Sequence, residues 1–174
     1  MTARRLRWPA ILIGGAVVLV AAAVFVSAAV DEPSKVLRVT ATVDAPERLV
    51  WRTVTDLEAY EDWNPTIVSA EGRLEEGATL DLQFRGGSAH TERREVEVLA
   101  VNPRHKLRWQ DRMLLPGVRD RELTIRLRWL RAGRTLVRVD ERYEGLLAPF
   151  SDTDGERLGL QRMVAALAAE SEEQ

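Results

Sequence analysis

Four side chains able to do chemistry fall where the sequence otherwise alternates apolar residues. Asp111 shares the parity of Leu107, Trp109 and Met113, and Glu141 and Tyr143 share that of Val137 and Val139. Arg94 is in step with Val96 and Val98. Successive side chains of a strand point to opposite faces, so this spacing sends two carboxyls, a guanidinium and a phenol into an apolar layer. An ionised carboxylate there is costly without a partner. Its pKa is either raised by desolvation or held down by a neighbouring cation, and Arg94 is the candidate cation. In an enzyme, Glu141 would transfer the proton, Tyr143 would donate to a substrate carbonyl, and Asp111 would be the second carboxyl. In a protein without catalysis, the same groups form a satisfied pair near a barrel mouth, or a β-bulge turns one of them to solvent.

The tryptophans form a second constellation. Trp51, Trp109 and Trp129 lie in elements expected to face inward, while Trp63-Asn64 sits in a loop between the first helices and the sheet. Tryptophan offers a broad apolar wall and one N–H donor, which suits a pocket for a ring or an acyl chain. Met113 and Met163 are adaptable lining residues or gap-fillers. Leu146-Leu147-Ala148-Pro149-Phe150 is apolar for a connection; it reads as a lid, a membrane-touching edge, or packing beneath the last helix. Arg119, Arg121, Arg126, Arg128, Arg131, Arg134 and Arg138 cluster on two adjacent strands. With Asp120, Glu122 and Asp140 interspersed, they read as a solvated mixed-charge face rather than a seat for anionic lipid headgroups.

Several chemistries are excluded. The chain of 174 residues has no cysteine, so it has no disulfide framework, thiolate metal site or cysteine nucleophile. His90 and His105 stand apart and have no companions at metal-ligand spacing. No H-E-x-x-H, phosphate-binding glycine loop or G-x-S-x-G occurs. No metal and no cofactor are expected. From Asp31 onward there are 22 basic and 27 acidic residues, a formal charge of −5, which argues against nucleic acid.

The elements that must position these residues occupy the chain after an apolar run. Residues 1–7 are basic, through Arg4, Arg5 and Arg7, and residues 8–30 carry no charge. At about 1.5 Å per residue a helix of that length reaches about 34 Å, enough for a bilayer core of about 30 Å. The run reads as one transmembrane helix, with the arginines in the cytoplasm and the rest of the chain outside it. The alternative is a signal peptide cleaved near Ala29, where Ser27 and Ala29 have the spacing a signal peptidase favours. Residues 31–34 read as a linker and 35–174 as one domain.

Within that domain, Leu37, Val39, Ala41 and Val43 alternate as a strand. Asp44 is placed to cap a helix beginning near Pro46 and running through Val50, Val54 and Leu57. A short helical turn is expected over Leu57–Tyr60, ended by Asn64-Pro65. Six strands follow, read around Ile67–Ala70, Leu80–Phe84, Thr91–Val101, Leu107–Met113, Leu123–Trp129 and Val137–Tyr143. Gly86-Gly87 and Pro116-Gly117 mark turns. Short connections imply an antiparallel meander. Leu160, Met163, Val164 and Leu167 fall at i, i+3, i+4 and i+7, one stripe of a helix from about Gly155 to Glu170. The fold class expected is α+β: a curved antiparallel sheet of about seven strands wrapped around a long C-terminal helix.

The local wording sharpens this. Ala45-Pro46, Val50-Trp51, Thr55-Asp56-Leu57-Glu58-Ala59-Tyr60 and Trp63-Asn64-Pro65 resemble the two-helix opening of the START-like superfamily, also called SRPBCC, in its polyketide cyclase/dehydrase group. Leu107-Arg108-Trp109 and Glu141-Arg142-Tyr143-Glu144-Gly145 resemble its late strands. The resemblance spans roughly residues 35–170. It implies a helix-grip fold with a cavity, between sheet and long helix, for lipids, sterols, polyketides or other apolar molecules. The family holds carriers as well as enzymes, so the fold does not settle function. The expectation is a membrane-anchored domain binding a hydrophobic small molecule or lipid without catalysis. Its pocket would be lined by Trp63, Asn64, Trp109, Met113, Trp129 and Met163, with Arg94, Glu141 and Tyr143 orienting the ligand. The alternatives are a cyclase, dehydratase or hydrolase using Glu141 on an apolar carbonyl compound, and an interaction module with a filled core.

Overall fold

The computed structural model describes residues 34–85, 90–113, 117–145, 147–150 and 153–174. The transmembrane reading of residues 8–30 and the Gly86-Gly87 turn lie outside the described residues. Among the described residues, no helix is long and apolar enough to cross a membrane.

Seven strands form one antiparallel sheet: β1 (Lys35–Val43), β2 (Ile67–Gly72), β3 (Thr79–Arg85), β4 (Thr91–Asn102), β5 (Lys106–Met113), β6 (Arg119–Trp129) and β7 (Thr135–Glu144). Their order is β1-β7-β6-β5-β4-β3-β2, so the first strand pairs with the last and the others run as a meander. The helices are α1 (Glu47–Thr55), α2 (Tyr60–Trp63) and α3 (Thr153–Glu173). This is the helix-grip arrangement, with α3 laid along the inner face of the curved sheet.

The alternation of each strand builds the core. Leu37, Val98, Leu107, Ile125 and Val139 are all buried on the inner face, and Leu160, Met163, Val164 and Leu167 of α3 meet them. Burying one such side chain contributes about 1.5–3 kcal/mol. At its C-terminal end, α3 docks on α1 through a small polar clasp. The Ser171 hydroxyl donates to the Leu167 carbonyl at 2.7 Å and lies 3.2 Å from Thr53 Oγ1.

Three local expectations are corrected. Asp44 does not cap α1: Pro46 occupies the cap position without a side-chain bond, and the Asp44 amide donates instead to Glu172. The second helical turn falls over Tyr60–Trp63 rather than Leu57–Tyr60, because Pro65 bars the α region only for the residue before it, Asn64. Trp129 does not face the interior. It is 60% exposed: β5 begins at Lys106, opposite Arg126, and leaves that end of β6 without a neighbouring strand on one side.

Candidate functional site

The inner face carries two buried ion pairs side by side, and strand register puts them there. Arg121 lies directly opposite Tyr143 on β7 and Asp111 on β5. Diagonal neighbours on one sheet face are within reach of a long side chain. Glu141 is diagonal to Arg121, and the Arg121 guanidinium donates to its Oε1. Arg94 is likewise diagonal to Asp111, because Val96 pairs with Asp111, and its Nη1 reaches Asp111 Oδ2 at 3.3 Å.

Phe84 joins the two pairs. Its ring centre lies 4.9 Å from the Arg94 guanidinium carbon and 5.5 Å from that of Arg121. Each contact is a cation–π attraction, stronger where water is excluded. Two outer carboxyls close the network: Glu92 accepts from Arg94 Nη2 at 2.8 Å, and Glu156, in the first turn of α3, lies 3.5 Å from Arg121 Nη2.

Burial sets the protonation behaviour. Glu141 is only 1% exposed. Desolvation pushes its pKa above the ordinary carboxylate value, Arg121 pulls it down, and the nearby charge of Glu156 pushes it up again. Desolvation also raises Asp111, against the pull of Arg94 and Arg121. Glu92, nearer to water, is held low by its hydrogen bond from Arg94. The Tyr143 hydroxyl is buried beside Glu141, and burial pushes its pKa up as well. A buried carboxyl of raised pKa beside a buried phenol can hold and exchange a proton. One oxygen of Glu141 is already engaged by Arg121.

Two clefts border this network. One, of about 20 Å³, is lined by Ile67, Phe84, Arg121, Glu141, Gly159 and Met163, among others. The other, of about 10 Å³, is lined by Phe84, Val96, Trp109, Asp111, Arg121 and Leu123. Each has room for about one water.

The structure thus brings together Glu141, Tyr143, Trp109, Met163, Arg94 and Asp111 at neighbouring positions, with corrections. Arg94, Asp111 and Glu141 do not form one trio: Arg94 serves Asp111, while Glu141 has its own cation. That cation is Arg121, which the sequence reading grouped with a solvated face. Its parity with Leu123, Ile125 and Leu127 was the signal pointing inward. Phe84, in step with Leu80 and Leu82, and Glu156, four residues before Leu160, were also missed as site residues.

Asn64 is turned to backbone duty: its Oδ1 accepts from the amides of Thr66 and Ile67, both at 2.9 Å. Trp63 packs edge-on against Tyr60, with ring centres 5.1 Å apart. Its indole N–H is buried without a partner. Trp51 is half-buried against the core. Trp129, being exposed, lines neither cleft. Met113 ends β5 opposite Arg119, and its side chain lies outside the described residues. Among the described residues of the 146–150 connection, Leu147 is exposed, Phe150 is 83% exposed and Ala148 alone is buried. Among the described residues, no group of three His, Asp or Glu side chains could hold a metal ion.

Comparison with known proteins places the chain. A family model described as polyketide cyclase / dehydrase and lipid transport matches residues 35–172. No curated protein matches the chain at a significant level. Among solved structures, protein CV1439 from Chromobacterium violaceum is 24% identical, with a TM-score of 0.64 over 79% of this chain and 96% of its own. The di-domain ARO/CYC protein StfQ of the steffimycin biosynthetic pathway is 8% identical, with a TM-score of 0.66 over 80% of this chain and 52% of its own. A Thalictrum norcoclaurine synthase point mutant, in complex with a transition state analogue, is 15% identical. Its TM-score is 0.62, over 82% of this chain and 97% of its own. At these identities the likeness is one of fold.

Proposed function

Because the chain belongs to the polyketide cyclase/dehydrase and lipid transport family, we propose that its folded part holds a hydrophobic small molecule or lipid without catalysing a reaction on it. The apolar body would lie between the sheet and α3, with its polar group at Arg121, Glu141 and Tyr143. The observation that carries this reading is the buried Arg121–Glu141 pair, with Tyr143 beside it, lining the cleft under α3 together with apolar Phe84, Leu160 and Met163. Hydrogen bonds to a charged group are about twice as strong as neutral ones, so a ligand's polar group would be held at this pair.

Sites for drug-sized ligands measure about 300–1,000 Å³, far more than the two clefts. Binding therefore requires Phe84 and Met163 to separate, and α3 to lift at Gly159. The small clefts favour a second reading, a module whose core is filled by its own side chains and which acts by contact with a partner. Residues 8–30 would tether the domain to the membrane, with the domain outside the cytoplasm.

Native mass spectrometry of the full chain, extracted from its own cells in mild detergent, tests these readings. A co-purifying molecule is expected, and Gly159→Leu should abolish it while far-UV circular dichroism stays unchanged. A Cβ at Gly159 meets only Thr66 Oγ1, at 4.0 Å, so the longer side chain can grow into the cleft without backbone strain. Extracts from which no molecule co-purifies would favour the filled-core module. For the tether, protease added outside intact cells should digest the domain.

A further inference from the structure

The outer face of the sheet carries a second polar constellation, separate from the inner site. On the parity opposite to the core, Arg38 of β1, Arg126 of β6 and Arg138 of β7 converge on Asp140. Arg38 Nε donates to Asp140 Oδ1 at 2.6 Å, Arg126 Nη1 to Oδ2 at 2.6 Å, and Arg138 Nε to Oδ2 at 2.9 Å. Asp140 itself is nearly buried beneath them. Together with Arg142, Glu122 and Val36, they line a cleft of about 180 Å³, much roomier than either inner cleft.

Two features set this cluster apart from an ordinary mixed-charge surface. First, register places like charges directly opposite one another. Lys106 pairs with Arg126, and Arg126 pairs with Arg138, a row of three cations across three strands. Like charges at that spacing are destabilising. Second, the cations outnumber their counter-ions. The cleft lining holds four arginines against Asp140 and Glu122, a local excess of two positive charges. Residues 34–174 as a whole carry 22 basic and 25 acidic residues. An exposed ion pair is worth at most about 1 kcal/mol, so three arginines are more than Asp140 needs.

Each guanidinium has about five N–H donors in a planar fork. Asp140 engages one edge of each and so holds the three heads together, leaving donors for another acceptor. We propose that this outer cleft binds a phosphate-type oxyanion, gripped by Arg38, Arg126 and Arg138. The same chemistry is offered by a free phosphate and by the headgroup of an anionic phospholipid. The site is independent of any ligand under α3, because its residues point to the opposite side of the sheet.

The test uses the full chain in uncharged detergent micelles, with thermal unfolding as the readout, because a ligand of the native state raises Tm with its concentration. Two probes are titrated at constant ionic strength: inorganic phosphate against chloride, and phosphatidylglycerol against phosphatidylcholine added to the micelles. A Tm rise specific to phosphate supports the site with a free anion as its ligand. A rise confined to phosphatidylglycerol supports it with the headgroup as ligand. In either case the double variant Arg126→Gln/Arg138→Gln should lose at least tenfold in apparent affinity. Asp140→Asn removes the competing carboxylate and should bind several-fold more tightly. An arginine cluster that serves only to neutralise Asp140 predicts no such gain. If Asp140→Asn fails to fold, the double variant decides alone, since it keeps Arg38 on Asp140 and relieves the facing cations. The proposal is overturned if neither probe differs from its control, or if the double variant binds as tightly as the parent.

Discussion

Replacing Arg121 with leucine should cost the fold about 3–5 kcal/mol at neutral pH, the usual penalty for removing one partner of a buried ion pair. That is a large share of the roughly 5–15 kcal/mol by which domains are stable. The loss has two parts. Glu141, at 1% exposure, is left without its cation, and Phe84 and Tyr143 lose the guanidinium beside their rings. The sign of the pH dependence follows from Glu141, whose pKa is already raised above its ordinary value of 4.5, with burial the leading cause. A carboxyl of raised folded pKa contributes stability that is fully present below its unfolded pKa and lost as pH rises through the folded one. Removing Arg121 raises that folded pKa further. The variant should therefore be nearest to the parent in stability around pH 4.5 and fall away as pH increases. Adding Glu141→Leu should restore most of the loss, since an apolar pair of similar volume is often as stable as a buried ion pair. Urea unfolding of the three variants at several pH values measures all of this. A loss below about 1 kcal/mol for the single variant, or one independent of pH, would show that Glu141 does not depend on Arg121.

Gly145→Ala should be the next most damaging substitution, at about 3 kcal/mol. Gly145 follows β7 with φ +101°, a conformation L side chains rarely adopt, and such strain costs about 1–3 kcal/mol. A Cβ there would stand 2.6 Å from the Gly117 carbonyl oxygen and 2.9 Å from the Val118 carbonyl carbon. Both obstacles are backbone, and the Val118 carbonyl is held by the Leu147 amide at 2.9 Å. Gly77→Ala is the control: its φ is +83°, with nothing within 4 Å of the new Cβ. It should lose only the strain, about 1 kcal/mol or slightly more. The difference between the two, read by urea or thermal unfolding, isolates the close approach of the chain after β7 to the turn before β6. Because Tyr143 and Arg121 lie directly opposite each other on those two strands, Gly145→Ala should also weaken ligand retention beyond its effect on stability. If Gly145→Ala unfolds no more easily than Gly77→Ala, the approach is looser than its geometry states.

Much of this molecule could be read from the chain, and the boundary between what could and could not is physical. Alternation with period two assigns each strand residue to a face. It sent Glu141, Tyr143, Asp111, Trp109 and Arg94 inward, and the structure agrees. The stripe from Leu160 to Leu167 likewise named the buried face of α3. Parity does not name partners. Whether Arg94 reaches Asp111, Glu141 or both depends on which residues stand opposite across three strand pairs. The irregularity between Val98 and Ala100 shifts one of those registers. Trp129 shows the same limit in another form: its parity is inward, but β5 begins opposite Arg126 and leaves that end of β6 without a neighbouring strand on one side.

Local chemistry, then, was determined by the sequence itself: which residues are apolar in step, where proline stops a helix, and a run of 23 uncharged residues before the domain. Tertiary structure alone decided that Arg121 rather than Arg94 neutralises Glu141, that Asn64 caps its own chain, that the inner clefts have room for about one water each, and that Arg38, Arg126 and Arg138 meet on Asp140. The reason is distance along the chain. Arg38 and Asp140 are 102 residues apart, and no periodicity within a strand carries information about a neighbour that only pairing of the first strand with the last can supply.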